Sequence, residues 1–340
     1  MAKILAEVST KNRYDIISTM LMGVASQTRL PDALLIIDDN DNPHPNMESW
    51  YSQSQYAIQT LSNKGVKWRV IYGKQQGQHH NHETAQEVAI REGFDYVWRL
   101  DDDCFPEPNV LEVLLSKMEP KVGAVGGYII TPPAQTTTDN LTNSISEIYS
   151  PNVQWYFGAK EKEVDHLNCS FLYRPGLAHY NLDLSPVAHR EETMFTYEIK
   201  RAGYKILFTP ECTTWHLRAP FGGIRTGTAW MFKHDEKLFQ EKLNEWGIEK
   251  EFLIYLECGL GDNLAFSNLI PELKSKHSKL VVSTGTPDVF KDMGVKIISL
   301  EEAQSRGIDK DKYSIYHWMG NNDWKGHIVD AFRKMYEEMK

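Results

Sequence analysis

Between residues 3 and 100, short apolar runs alternate with segments whose apolar residues recur at helical spacing, and few folds accept that pattern. The runs are Lys3 to Ser9, Ala33 to Ile37, Trp68 to Tyr72 and Tyr96 to Leu100. Ala33 to Ile37 and Tyr96 to Trp98 are unbroken, which marks strands buried on both faces. In Tyr14 to Ala25, Ile16, Ile17, Met20, Leu21 and Val24 fall on one helical face, and Gln55 to Lys64 and Asn81 to Glu92 also read as helices. This alternation predicts an α/β fold with a mostly parallel central sheet covered by helices on both faces.

Two of the runs end in acids: Asp38 and Asp39 after the second, Asp101, Asp102 and Asp103 after the fourth. The C-terminal edge of an open α/β sheet is where ligands bind. Clustered carboxylates repel unless a cation joins them, and a hard divalent ion with oxygen ligands suits the purpose. On an extended backbone Asp101 and Asp103 point the same way and can share one ion, while Asp102 turns into the sheet. An isolated acidic triplet is more often a solvated strand end, so the neighbouring motifs decide.

Asn109 to Met118 reads as a helix, Val122 to Ile130 as a strand, Thr131 to Asn143 as a loop, and the Val153 to Tyr173 region has strand character. A helix opening at Arg190, Glu191, Glu192 and Thr193 runs to Arg201 and stops at Gly203. A strand at Tyr204 to Phe208, a break at Pro210 and a second strand at Thr213 to His216 follow. The glycines within Ala219 to Gly227 predict a segment able to close over a ligand. His234 to Trp246 reads as an amphipathic linker helix. Beyond it, strands at Phe252 to Glu257, Leu280 to Ser283, Val295 to Ser299 and Tyr313 to His317 alternate with helices, the last reaching Met339. The expected domains are residues 1–233, a linker over 234–248, and a smaller Rossmann-like α/β domain over 249–340.

With 340 residues there is length for two cores. A net charge of −9 argues against indiscriminate polyanion binding. The four cysteines lie far apart with no paired spacing, which indicates neither a disulfide framework nor a zinc finger and suits a reducing, cytoplasmic setting. No run of eighteen apolar residues offers a transmembrane segment.

Three motifs in order resemble the family-2 glycosyltransferases of the GT-A fold over about residues 3 to 218. The first is a strand, a loop with Asn12 and Arg13, a helix, then Gln27, Thr28, Pro31 and the strand ending in Asp38 and Asp39. The second is Asp101 to Asp103 followed by Pro106 and Pro108. The third is Glu191 and Glu192, then Arg201 to Tyr204, Phe208, Pro210, Trp215 and His216. Each motif alone is weak, and the ordered set is specific. The family usually carries Glu-Asp where this chain has Glu191-Glu192. More faintly, Gly259, Gly261 and Asp262 between strand and helix resemble one half of a heptosyltransferase-like GT-B enzyme.

The resemblance implies a metal-dependent, inverting transfer of sugar from a nucleotide-diphosphate donor, UDP being the expected nucleotide, to an acceptor hydroxyl. Asp101, Asp103 and His216 would hold Mn²⁺ or Mg²⁺. Thr10, Asn12, Arg13, Asp38, Asp39 and Asp101 would contact the nucleotide. Apart from the resemblance, Lys200, Arg201, Lys205, Arg218, Arg225 and Lys233 are opposed only by Glu211 within residues 199 to 234, usually a solvated face, and here Arg218 and Arg225 are expected to close over the donor diphosphate. Glu192 would take the acceptor proton, leaving Glu191 as a favourable first-turn charge or second choice of base. His216 packed beside Trp215 and Asp39 capping a turn are the bland readings. A sugar-nucleotide nucleotidyltransferase is a rival, but Ser9 to Arg13 lacks the glycines its loop carries. A catalytically silent sugar-nucleotide binding module is another. As acceptor, a saccharide or glycoconjugate is expected, with a modified nucleic-acid base, flipped from its stack, the alternative. The C-terminal domain is expected to handle or dock the acceptor.

Overall fold

The computed structural model describes residues 2–43, 50–132, 160–306, 308 and 310–338, apart from the side chains of residues 224, 225 and 305. The expected loop beyond residue 132, the strand character from Val153 to residue 159 and the side chain of Arg225 lie outside them. Two compact units divide between Lys242 and Leu243.

In the first unit the expected alternation appears as β1 (Ile4–Thr10), α1 (Ile17–Ala25), β2 (Ala33–Asp38), α2 (Ser52–Asn63), β3 (Lys67–Tyr72), α3 (Gln78–Arg91) and β4 (Tyr96–Asp101). Then come β5 (Cys104–Pro106), α4 (Val110–Ser116), β6 (Val122–Ile130), β7 (Lys162–Glu163), β8 (Ser170–Tyr173), α5 (Glu191–Arg201), β9 (Lys205–His216) and α6 (Ala229–Glu245). The sheet runs β3-β2-β1-β4-β8-β6-β9-β5, with β7 paired to β9. β3, β2, β1 and β4 are parallel, as is the pair β6 and β9. β8, β5 and β7 run against their neighbours, so the sheet is mixed.

Alternate residues of β1 feed separate cores. Ile4, Ala6 and Val8 pack with α1, α2 and α4, whereas Leu5 packs with α3 and Phe195 of α5. Helices therefore cover both faces, as continuously apolar strands require.

Pro210 does not end a strand. β9 continues through it, because a five-residue step of β9, Phe208 to Thr213, opposes the two-residue step Gly126 to Tyr128 of β6. Pro210 sits in this bulge, where its missing N–H leaves no ladder bond unmade. The continuation of β9 then pairs with β5, setting Cys104 opposite His216. β5 itself went unread, since Asp102 and Asp103 form a tight turn between it and β4.

The second unit has a three-stranded parallel sheet, β10 (Phe252–Leu256), β11 (Leu280–Thr284) and β12 (Lys296–Ile298). Its helices are α7 (Leu260–Ser267), α8 (Ile270–Lys276), α9 (Leu300–Ser305), α10 (Ile315–Asn321) and α11 (Ile328–Glu338). The expected strand at Tyr313 to His317 is instead the start of α10. Ser314 caps it by accepting from the N–H of His317, and Ile315 supplies the buried side chain. A short apolar run cannot distinguish strand from buried helix by periodicity, and here the cap decides.

Candidate active site

The C-terminal ends of β1, β2 and β4 meet at one edge of the first unit's sheet, because parallel register sets Ser9 beside both Ile37 and Asp101. Asp101 ends β4 and its two successors turn the chain into β5. The turn, rather than an extended backbone, brings the acids together. Carboxylate oxygens of Asp101 and Asp103 and the thiol of Cys104 lie within 4.8 Å of one another, as do donor atoms of Asp101, Cys169 and His216.

The three aspartates have different partners. Asp102 is buried, accepting from Thr10 Oγ1 at 2.9 Å and Arg13 Nη1 at 2.7 Å. It faces the cleft beside Arg13 and not the sheet interior. Burial pushes its carboxyl up to about 6 despite the guanidinium. Asp103 meets His216 Nε2 at 3.2 Å, Arg13 at 3.5 Å and the Ala219 N–H at 2.9 Å. Burial raises this carboxyl, but the hydrogen bond and charge of His216, with Arg13 and Ala219, hold it well below the usual carboxylate range. His216 is held well above an ordinary histidine, because Cys169 and Asp103 outweigh its burial. Its place is the acidic turn, paired with Asp103.

Asp101 alone of the three retains some exposure, 19% of its side chain, and it meets Arg99 at 3.1 Å. Arg99, two residues earlier on the same face of β4, is fully buried. It reaches Glu191 at 2.6 Å and Glu192 at 3.3 Å as well. One guanidinium thus faces three carboxylates, and burial leaves Glu191 pushed up to about 7. Glu191 also accepts from Gln78 and lies 3.9 Å from His82 Nε2, and the Glu7 carboxylate grips the other ring nitrogen of His82 at 2.8 and 2.9 Å. Glu191 is therefore the buried end of a polar network and not a solvated first-turn charge. Glu192 is 13% exposed and accepts from the Cys169 N–H at 3.1 Å.

At the same sheet edge, a cavity of about 70 Å³ is lined by Ser9, Lys11, Arg13, Asp39, Gly77, Gln78, Asp102, Pro186, Val187, Gly223 and Thr226. Asp39 accepts from the Gln75 N–H at 2.7 Å, and Gly73 is the only fit beside it, since a Cβ there would meet Asp39 Oδ1 at 2.1 Å. Asp38 accepts from the Tyr14 hydroxyl and the Asn40 amide, which puts it behind Asp39 as a support. Asn12 holds its loop to the next by bonding Asn40 and both donating to and accepting from Asp41. Arg13 donates to the carbonyls of Phe221 and Gly222, so the glycine segment rests on it. Gly222 has φ +69, and a Cβ there would meet the Lys11 carbonyl at 2.7 Å. Arg218 is exposed after the end of β9. Lys200 pairs with Asp165 and Arg201 with Glu198.

Arg99, Cys169, Gln78, His82 and Glu7 were not singled out from sequence. Charged residues inside apolar runs, Glu7 between Ala6 and Val8 and Arg99 between Trp98 and Leu100, were the available signal.

The family model described as Glycosyl transferase family 2 matches residues 8–178. A search of curated proteins found no match. Among solved structures, GalNAc-T7 with UDP, GalNAc and Mn²⁺ is similar at 14% identity and a TM-score of 0.54, over 92% of this chain and 57% of that one. TarS 1-349 of S. aureus in complex with UDP-GlcNAc is similar at 12% identity and a TM-score of 0.51, over 99% of this chain and 91% of that one. This chain thus spans little more than half of the GalNAc-T7 chain. At such identities the likeness is one of fold, the GT-A fold. Since the family model covers just over half of its length, the chain belongs to glycosyl transferase family 2.

Proposed function

We propose that this protein transfers a sugar from a nucleotide-diphosphate donor, UDP-linked, to an acceptor hydroxyl with inversion, Glu192 acting as the base. The observation that carries the proposal is the convergence, at one sheet edge, of the acidic turn, a cavity with Lys11, Arg13 and Asp39 on its wall, and a partly exposed glutamate held by Arg99. Asp101 would hold a divalent cation together with Cys169 and His216 or with Asp103 and Cys104, since within each set the donor atoms lie within 4.8 Å of one another and such an ion accepts carboxylate and imidazole ligands. When bound, it neutralises charge that develops on the leaving diphosphate.

The chain's own groups supply the rest. Asp39, steadied by Gln75, receives the nucleoside end of the donor. Arg13 and Lys11 form the cationic wall beside its phosphates, with Arg218 and Arg225 closing from the following segment. Glu192 takes the hydroxyl proton as the acceptor oxygen attacks the anomeric carbon and the diphosphate leaves, and Arg99 together with the Cys169 N–H holds that carboxylate in place. The amide of Asn168, buried and without a hydrogen-bond partner among the described residues, adjoins this point in the chain and suits an acceptor hydroxyl.

The second unit handles the acceptor. Its cavity of about 150 Å³ is walled by Tyr255, Tyr313 and Tyr316 with Glu257, a pairing of ring faces and a carboxylate that suits a hydroxyl-rich ligand. Tyr316→Ala should raise the acceptor KM and leave donor hydrolysis unchanged.

Thermal stabilisation by a panel of nucleotide sugars, with and without Mn²⁺ or Mg²⁺, tests the donor assignment. Metal-dependent stabilisation by UDP-sugars is expected. Stabilisation by none of them contradicts it.

A further inference from the structure

We propose that the Cys169 thiol is a ligand of the cation at the acidic turn, and that it gives this site a preference for a thiophilic transition ion over Mg²⁺. The inference rests on the cation site of the preceding section and deepens it.

Three donors of different chemistry reach this point from three separate segments: a carboxylate from the end of β4, a thiol from the residue before β8, and an imidazole from the end of β9. All their ligand atoms lie within 4.8 Å of one another. Nothing local in the chain brings them together. The sheet does so, through the pairing of β4 with β8 and of β5 with β9.

Cys169 is not placed as an ordinary buried thiol. Its backbone is left-handed, φ +54, a conformation that costs a non-glycine residue about 1 kcal/mol or more. Both of its backbone polar groups are fixed by residues of the site. Its carbonyl accepts from the Asp101 N–H at 3.0 Å and its N–H donates to Glu192 at 3.1 Å. The backbone that carries the thiol is therefore fixed by the residues that would hold the ion and the acceptor. Cys104 and Ile129 pack against Cys169, and the Cys104 side chain hydrogen-bonds its thiol.

Asp103 takes a different place from Asp101. One of its oxygens meets His216 Nε2 and the other accepts the Ala219 N–H. A carboxylate bonded to one imidazole nitrogen while the other faces the ion is the arrangement that orients histidine ligands and raises their basicity. Asp103 then positions His216, and Asp101, Cys169 and His216 form a mixed O, S and N set. Such a set with an open position suits Zn²⁺ or Co²⁺, whereas Mg²⁺ wants octahedral oxygen. On coordination the thiol proton leaves to solvent.

The test is Co²⁺ titration of the full-length protein, followed by the near-ultraviolet thiolate-to-cobalt charge-transfer band. Zn²⁺ against Mg²⁺ competition is measured on the same samples. The wild type and Cys104→Ser should show the band. Cys169→Ser and Cys169→Asn, the latter suited to the left-handed backbone, should lack it and narrow the Zn²⁺ preference by about 10-fold or more. Co²⁺ bound without the band in the wild type overturns the proposal, as does a band that survives Cys169→Ser or is lost only in Cys104→Ser. Failure of Co²⁺, Mn²⁺ and Mg²⁺ alike to bind, with UDP present, overturns the cation site itself and the proposal with it.

Discussion

Arg99 and Glu191 meet at 2.6 Å with both side chains fully buried, one from the middle of β4 and the other from the first turn of α5. This pair joins the acidic turn to the glutamates, because Arg99 also touches Asp101 and Glu192. Truncating one partner of a buried ion pair leaves the other charge uncompensated. Arg99→Met should therefore destabilise the fold by about 3–5 kcal/mol, measured by denaturant unfolding. An unchanged midpoint would show that Arg99 is not the cluster's counter-ion.

Glu191 also predicts a pH dependence of stability. Burial holds its carboxyl at about 7 in the folded chain, against about 4.3 for an ordinary glutamate in the unfolded one. The unfolded chain then releases this proton first as pH rises. Stability from Glu191 is full below roughly pH 4 and is lost as pH climbs through roughly 7. Glu191→Gln should flatten that part of the stability curve. A slope identical to the wild type's would place the titration elsewhere.

Gly73→Ala separates binding from folding. The added Cβ would meet Asp39 Oδ1, Cγ and Cβ at 2.1, 2.7 and 2.9 Å, so the whole Asp39 side chain must shift from the cavity wall. Calorimetry should show at least about 10-fold weaker UDP binding, a loss of about 1.4 kcal/mol, with a native circular dichroism spectrum. Wild-type affinity would remove Asp39 from the nucleotide site.

Asp235 of α6 is buried and accepts from the Ser185 N–H, the Ser185 hydroxyl and the His189 N–H, at 2.7, 2.9 and 2.8 Å. It fixes the loop that delivers Glu191 and Glu192. Asp235→Ala should cost on the order of 3 kcal/mol and lower kcat more than it raises the donor KM. A change confined to KM would mean that the loop serves the donor instead.

Much of the first unit was legible because a parallel sheet writes itself as apolar runs between amphipathic helices, and the ends of β1, β2, β4 and β6 follow from those runs. β5 and the unbroken course of β9 were not. Both depend on which strand lies opposite: His216 becomes a neighbour of Asp103 only because β9 bulges around Pro210 and goes on to pair with β5. The acids and His216 could be named from their order in the chain. The cation that organises them could not, since Arg99 reads as an interruption of a strand until α5 is packed against it. Cys169 is a similar case, as its role follows from a positive φ and two backbone hydrogen bonds that no residue pattern announces.

Glu192→Gln measured two ways is the most direct test of the proposed chemistry. The substitution keeps the size of the side chain and its contact with the Cys169 N–H while removing the base. Donor affinity in the presence of Mn²⁺ should stay within about 3-fold of the wild type, and sugar transfer should fall by about 100-fold or more. Transfer at the wild-type rate with donor binding intact would contradict the assignment of Glu192.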